Sequence, residues 1–152
     1  MSWIYKDKLL LEEDIPTGAI GFIYGIKNNV NGMKYIGRKL LTKAPVKAKP
    51  SLKTPKPKKK PRVKSNYDSY YGSCTDLTED IKVHGKENMT RTILQFCNSA
   101  ATMTYGEKYA QYRTKCLERA DYYNSNIGNR EYKRNIFNKI NDSSLEEWIV
   151  TC

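Results

Sequence analysis

Two tyrosines, Tyr24 and Tyr35, lie eleven positions apart in the stretch GFIYGIKNNVNGMKYIGRK, and two cations follow the second of them. A phenol ionises near pH ~10, so it is a weak base at neutral pH unless nearby cations lower its pKa. Arg38 and Lys39 are placed in the sequence to lower it. These four residues indicate proton transfer beside an anionic group. In the alternative interpretation, both tyrosines are strand aromatics that pack in a core.

Local structure must position the two phenols, and the sequence predicts a β-hairpin around them. Residues 19–26 are rich in branched and aromatic side chains, which is typical of a strand. Residues 28–32 end in an Asn-Gly pair, which takes the positive φ angles that a tight turn needs. Residues 33–37 are then the returning strand. The hairpin would bring the two tyrosines onto adjacent strands.

The rest of the chain predicts a mixed fold. Four further elements follow from periodicity and from end signals: a helix over 76–83, a strand over 90–97, a helix over 104–122, and a terminal helix and tail over 131–140 and 144–151. One face of the long helix carries Tyr105, Tyr109, Tyr112 and Cys116 at helical spacing. The order hairpin, helix, strand, helix predicts an α+β domain with a small three-stranded antiparallel sheet flanked by helices.

A basic segment interrupts this pattern at residues 42–64, which hold ten Lys or Arg, five Pro and no acid. We expect it to be extended and mobile, because it cannot bury enough apolar surface to offset the entropy of ordering it. With a net charge of +11 for the chain, it predicts contact with a polyanion, most commonly nucleic acid. The candidate DNA-binding residues are Lys56, Lys58, Lys59, Lys60, Arg62 and Lys64. A solvated spacer or a localisation signal is the alternative interpretation.

Length and composition bound the class of protein. The 152 residues predict one domain, 1–152, with the basic segment as an insertion. The four cysteines include no CxxC pair and one histidine is present, so neither a zinc site nor a disulfide framework is predicted. We also expect no signal peptide and no membrane span, and therefore a cytoplasmic protein.

The hairpin resembles that of the GIY-YIG nuclease family. Phe22-Ile23-Tyr24, the Asn-Gly turn and Tyr35-Ile36-Gly37 carry the likeness, although Phe22 stands where the family usually has glycine. Residues 70–91 look like a pattern common in phage-encoded members. Glu107, at the start of the predicted long helix, and Asn124, after it, match the family's glutamate and asparagine.

This resemblance implies a role for each matching residue. Tyr24 would be the general base or its relay, and Tyr35 would orient the water or the phosphate. Arg38 or Lys39 would contact phosphate and lower the pKa of the phenol. Glu107 would hold one Mg²⁺, or another divalent cation such as Mn²⁺, and Asn124 would support that site through hydrogen bonding. The alternatives are a helix N-terminal acid for Glu107 and a turn residue for Asn124.

One departure from the family concerns the helix after the second motif, where members usually carry an arginine and then a histidine or tyrosine. Here the basic insertion and SNYDSYYGS occupy that space, without arginine. Tyr71 is the candidate for the aromatic partner. Arg38, Lys39 and Arg62 are the candidates for the cation.

The function that the resemblance implies is metal-dependent endonucleolytic cleavage of double-stranded DNA, in a phage or homing-type mobile enzyme. The abundance of Lys, Asn, Ile and Tyr agrees with an AT-rich genome. The alternative is a non-catalytic DNA-binding protein that keeps the nuclease fold. The oligomeric state and the target sequence stay open.

Overall fold

A five-stranded sheet organises the part of the chain that our computed structural model describes, residues 2–43 and 62–137. The strands are β1 (Ile4–Tyr5), β2 (Lys8–Leu9), β3 (Gly21–Asn28), β4 (Lys34–Leu40), β5 (Thr42–Lys43), β6 (Val63–Lys64), β7 (Met89–Cys97), β8 (Asn126–Ile127) and β9 (Glu131–Tyr132). The α-helices are α1 (Thr75–His84), α2 (Ala100–Arg113) and α3 (Lys133–Ile136). The main sheet has the order β2-β1-β7-β3-β4. The predicted α+β class is confirmed.

The predicted strand count and sheet type were wrong. The three predicted strands are the long antiparallel ones, β7, β3 and β4, but β1 adds to β7 in parallel and β2 pairs with β1. The sheet is therefore mixed. Strands of two residues show no alternation that a sequence pattern could reveal, because the side-chain period in a strand is itself two residues.

The predicted hairpin is confirmed as β3 and β4. Its register pairs Tyr24 with Gly37 and Ile26 with Tyr35. At the turn, the N–H of Gly32 donates to the carbonyl of Asn28 over 2.9 Å, and Gly32 has a φ of +75°. Positive φ favours glycine, so the Asn-Gly pair closes the hairpin as its chemistry predicts.

Two cores pack on the two faces of the sheet. One face of β3 buries Phe22 and Tyr24 against Trp3, and the other buries Ile23 beneath α2. The helix lies close to the strand at Gly106, where an added Cβ would lie 2.4 Å from Cδ1 of Ile23. Because no larger residue fits there without a shift, Gly106 sets the height of α2 above the sheet.

The helix α2 is shorter than predicted. It begins after Ser99, whose side chain accepts the N–H of Thr102 over 3.1 Å, and it ends at Arg113. Lys115, with a φ of +53°, lies in the left-handed region, which stops the helix well before residue 122. The predictions for α1 and β7 are confirmed to within one residue at each end.

The ends of the basic segment are held by the protein, contrary to the expectation that all of it is extended and mobile. Thr42 pairs with Lys64 and Lys43 with Val63, which makes a two-stranded ribbon of β5 and β6. Arg62 also donates from Nε to Oγ1 of Thr42 over 2.9 Å. The candidate DNA contacts between these ends, Lys56, Lys58, Lys59 and Lys60, lie outside the described residues.

The C-terminal prediction is met only in part. The described end of the chain is the β8–β9 hairpin followed by the four-residue α3, in place of a helix over 131–140. Residues 138–140 of that predicted helix, and the predicted tail at 144–151, lie outside the described residues. Among residues 2–43 and 62–137, no helix has the length and apolarity to cross a membrane.

Candidate active site

A cleft of about 520 Å³ opens beside the edge strand β4. Five predicted site residues line it: Tyr24, Tyr35, Arg38, Glu107 and Asn124. The rest of its lining comes from Tyr70, Ser73, Cys74, Thr75, Asp76, Gln111, Ser125, Asn126, Gly128 and Asn129. Strands β3 and β4, helices α1 and α2 and the β8–β9 hairpin therefore meet at one cleft.

Three tyrosines form one side of the cleft. Tyr24 is 1% exposed, and its ring centroid lies 6.1 Å from that of Tyr35 and 6.1 Å from that of Tyr70. Tyr70 also interacts with the hydroxyl of Tyr24 and raises its pKa. A Cβ added to Gly37 would lie 2.7 Å from the Tyr24 hydroxyl and 2.9 Å from Cε1 of Tyr35. Because Gly37 has no side chain, the rings of Tyr24 and Tyr35 can both lie close to the backbone of β4 at this position.

Burial determines the protonation of these phenols. It raises the pKa of Tyr24 far above its ordinary value of 10, and nearby Tyr35, Tyr70 and Glu107 add to that effect. Burial also raises the pKa of Tyr35, although a hydrogen bond with Ser73 partly opposes it. Neither Arg38 nor Lys39 is among the groups that shift these two pKa values, so burial sets their direction in the free protein. Both tyrosines are neutral phenols at physiological pH.

The opposite side of the cleft carries charge. Nε of Arg38 lies 3.1 Å from a carboxylate oxygen of Glu107, and Arg38 also donates to Thr104. Burial raises the pKa of Glu107, and Arg38 and Lys108 oppose this shift. The predicted cation and the predicted metal ligand are thus direct partners.

Asn124 holds the strand that carries the second motif. Its Oδ1 accepts the N–H of Ile36 over 3.0 Å, and its Nδ2 donates to the carbonyl of Ile36 over 2.8 Å. Nε2 of Gln111 donates to the same carbonyl over 3.2 Å. Asn124 is 3% exposed, so its amide replaces a neighbouring strand along the outer edge of β4.

Tyr70 lines the cleft, whereas Tyr71, the predicted aromatic partner, does not line it. Tyr71 instead packs on the guanidinium of Arg91, whose Cζ lies 4.2 Å from the ring centroid. Arg91 also donates to the carbonyl of Tyr70 over 2.9 Å. This buried arginine on β7 therefore fixes the backbone that turns Tyr70 towards Tyr24 and Tyr71 away.

The three candidates for the missing helix arginine lie in different places. Arg38 lines the cleft. Lys39 does not line it, but its Nζ lies 3.7 Å from the ring centroid of Tyr70 and donates to Asn66 over 2.8 Å. Arg62 is bound to Thr42 on the β5–β6 ribbon. Of the three, the structure brings only Arg38 to the carboxylate.

Comparison with protein families decides what this arrangement belongs to. A family model described as "Putative endonuclease segE, GIY-YIG domain" matches residues 3–127. The chain belongs to the GIY-YIG endonuclease family. No curated protein and no solved structure matches the chain. Members of this family are phosphodiester hydrolases, so the chain is an endonuclease by membership, with nucleic acid as the implied substrate.

Several residues that line or support the cleft were not predicted from the sequence. Asp76 opens the predicted helix over 76–83, and its place in the cleft depends on how α1 docks. Gln111 shares a carbonyl with Asn124, and Arg91 on β7 donates to the carbonyl of Tyr70. Helical spacing could have found Gln111, because it lies four residues after Glu107 and so on the same helix face.

The donor set of the cleft fits a magnesium site. GIY-YIG nucleases generally use divalent metal ions. Two carboxylates, Glu107 and Asp76, line the cleft, and Mg²⁺ prefers one or two carboxylates with retained waters and substrate phosphate. Within residues 2–43 and 62–137, no group of three His, Cys, Asp or Glu side chains could hold a metal ion. The lining of the cleft therefore suits a hard cation only when water or substrate oxygens complete its coordination.

Proposed function

We propose that this protein is a metal-dependent endonuclease that hydrolyses phosphodiester bonds of double-stranded DNA. The observation that carries the proposal is a single cleft that unites the tyrosines of both motifs with Glu107 and Arg38. Hydrolysis of a phosphodiester requires an oriented water, stabilisation of the charge on the phosphoryl group and help for the leaving oxygen. Each requirement has a candidate group in this cleft.

The tyrosines would transfer the proton of the attacking water. A neutral Tyr24 is not a phenolate base, but its hydroxyl oxygen can accept a hydrogen bond from the attacking water while its own proton is donated towards Tyr70. Tyr35, on the neighbouring strand, would orient the water or the phosphate. Tyr70 would release its own hydroxyl proton to solvent as it receives the one from Tyr24, while Lys39 over its ring holds it in place. Tyr24 therefore acts as a relay in this proposal.

The charged side of the cleft would bind the phosphate and stabilise its charge. Arg38 is 41% exposed, so its guanidinium can donate to a phosphate oxygen while it holds Glu107. When bound, Mg²⁺ or Mn²⁺ on the Glu107 carboxylate would supply Lewis-acid stabilisation of the phosphoryl charge. Asn124 would keep Tyr35 and Arg38 in place through the backbone of Ile36, which lies between them in β4.

The choice of DNA as substrate rests on charge. The chain has a net charge of +11, and ten of its cations lie in residues 42–64. Lys64 lies 3.2 Å from Glu12 and 3.0 Å from Asp68, and Arg62 is bound to Thr42. Phosphate contact is therefore assigned first to Lys56, Lys58, Lys59 and Lys60, between the two held ends. A phage or mobile-element origin and a cytoplasmic location complete the proposal.

The test is incubation of the purified protein with supercoiled plasmid in Mg²⁺, in Mn²⁺ and in a chelator. We expect nicked or linear products with either metal and none with the chelator. Glu107→Gln should lose about 100-fold or more in rate, because a neutral amide binds a divalent cation weakly. Glu79→Gln, which neutralises an exposed acid on α1, is the matched control and should cut normally.

Two outcomes would contradict the proposal. Cleavage that persists in the chelator would show that the reaction needs no metal ion. Salt-sensitive binding of DNA without cutting, in both metals and with several substrates, would favour the non-catalytic DNA-binding protein instead.

A further inference from the structure

The β8–β9 hairpin forms one wall of the cleft mouth. Asn126, Gly128 and Asn129 line the cleft, and the turn between the strands has a φ of +59° at Gly128 and +57° at Asn129. The N–H of Asn129 donates to Oδ1 of Asn126 over 3.1 Å, and the hydroxyl of Tyr132 donates to the carbonyl of Asn129 over 3.2 Å. The tip is therefore held in one conformation. It also lies beyond residues 3–127, which the family model matches.

Lys108 reaches this tip from α2. A Cβ added to Gly128 would lie 2.9 Å from Cε and 3.0 Å from Nζ of Lys108, so the absence of a side chain at Gly128 makes room for the ammonium group. Lys108 also acts electrostatically on Glu107, the residue before it in the helix. Its ammonium therefore lies against Gly128 and within electrostatic reach of Glu107, and both of these residues line the cleft.

The ammonium of Lys108 has no hydrogen bond or ion pair with any of the described residues. By contrast, Arg38 is paired with Glu107, and Lys133 donates to the carbonyl of Tyr122 over 2.7 Å. A half-buried cation with no hydrogen bond or ion pair among the described residues, beside the cleft of a proposed nuclease, is suited to an anion that arrives with the substrate.

We propose that Lys108 and the Gly128–Asn129 turn form a second phosphate subsite, which holds a non-scissile phosphate of the strand being cut. This inference rests on the proposed nuclease function and adds a positioning contact to it. Lysine binds phosphate as a point charge, and the exposed side-chain amide of Asn129 can donate beside it. The contact would set where the strand lies relative to Glu107 and would carry no base specificity.

The experiment measures binding of a DNA duplex that carries a mapped cleavage position, in chelator so that no cutting occurs. Lys108→Ala should weaken binding and reduce the slope of log Kd against log salt by about one, as expected for the loss of one phosphate contact. Lys108→Arg should keep most of the binding affinity and most of the salt slope. Lys82→Ala, which removes an exposed lysine from α1 outside the cleft lining, is the matched control.

Single methylphosphonate replacements along the cut strand then locate the contact. One neutralised phosphate, distinct from the scissile one, should weaken binding by the wild-type protein and have no further effect on Lys108→Ala. If every replacement affects both proteins equally, or if the salt slope of Lys108→Ala is unchanged, the subsite is wrong. A wild-type protein that binds but never cuts in metal would overturn the nuclease proposal, and the salt slope of Lys108→Ala on the bound duplex would then still test the phosphate contact.

Discussion

Six tyrosines of this chain fall into two groups with opposite environments. Tyr24, Tyr35 and Tyr70 meet at the cleft, where Tyr24 is 1% exposed. The other three, on α2, are exposed by 74%, 58% and 51%, in the order Tyr105, Tyr109 and Tyr112. Tyr105 and Tyr109 stack on each other with ring centroids 6.3 Å apart and face solvent. The same side chain thus serves a buried polar site in one group and a surface in the other.

The difference arises from how α2 sits on the sheet. The helix buries Met103, Gly106 and Gln111 against the strands, so the tyrosines at helical spacing lie on the outer face. Cys116 shares their spacing in sequence, but it follows the end of the helix and is fully buried. Periodicity therefore identifies a helix face without saying which way that face points.

Removing one hydroxyl from each group should give the largest contrast. Tyr24→Phe should reduce the single-turnover cleavage rate by about 10²- to 10⁴-fold, the range for loss of a proton-transfer group. Tyr109→Phe removes the same atom from an exposed ring and should leave the rate unchanged. Stability should fall by about 1 kcal/mol at most in Tyr24→Phe, because one hydrogen bond is lost.

The two rates are to be compared with thermal unfolding of both variants. If Tyr24→Phe cuts like the wild type while it stays folded, Tyr24 is only a packed aromatic, and the two groups of tyrosines do not differ in function.

We expect a smaller loss of cleavage rate when Asn124, which holds β4 beside the cleft tyrosines, is replaced. Asn124→Ala leaves the N–H of Ile36 without its partner, whereas Gln111 still donates to the carbonyl. Leaving one buried donor unsatisfied costs about 1–3 kcal/mol, so we expect a lower free energy of unfolding in urea, together with slower cleavage. Asn124→Asp keeps the acceptor for this N–H and should fall between the two proteins. Equal stability of Asn124→Ala and the wild type would contradict the positioning role.

The smallest expected effect is a shift in the pKa of Glu107, the partly buried acid opposite the tyrosines. Since burial raises its pKa, an NMR titration of the metal-free protein should place its midpoint above the ordinary 4.5. Protonation of Glu107 competes with metal binding, so at subsaturating Mg²⁺ the cleavage rate should fall towards low pH by up to about tenfold per pH unit. A midpoint at or below 4.5 would show that Arg38 outweighs burial.

The raised pKa of Glu107 also makes the free energy of unfolding depend on pH, in a definite direction. A carboxyl whose folded pKa exceeds its unfolded pKa stabilises the fold fully below the unfolded pKa, and this contribution is lost as pH rises through the folded pKa. The ionised Glu107 therefore costs stability at neutral pH. Glu107→Gln should unfold at the same temperature as the wild type or at a higher one, while it loses cleavage.

Much of the scaffold could be predicted from local signals. The Asn-Gly turn, the branched strands beside it, and the ends of α1 and β7 depend on residues close together in the chain. The choice between Tyr70 and Tyr71 could not be predicted. These neighbours differ only in direction, and that direction is set by Arg91, some twenty residues away, which binds the carbonyl of one and packs on the ring of the other.

The sequence by itself determined a hairpin with tyrosines eleven positions apart, a basic segment and membership of a nuclease family, because turns, spacing and composition are local properties. Only the tertiary structure decided that Tyr24 is a neutral, buried phenol, that Arg38 is the cation bound to Glu107, and that α2 presents its tyrosines to solvent. Burial, pKa and ion pairing depend on what the rest of the chain places around a residue, and elements distant in sequence supply those neighbours.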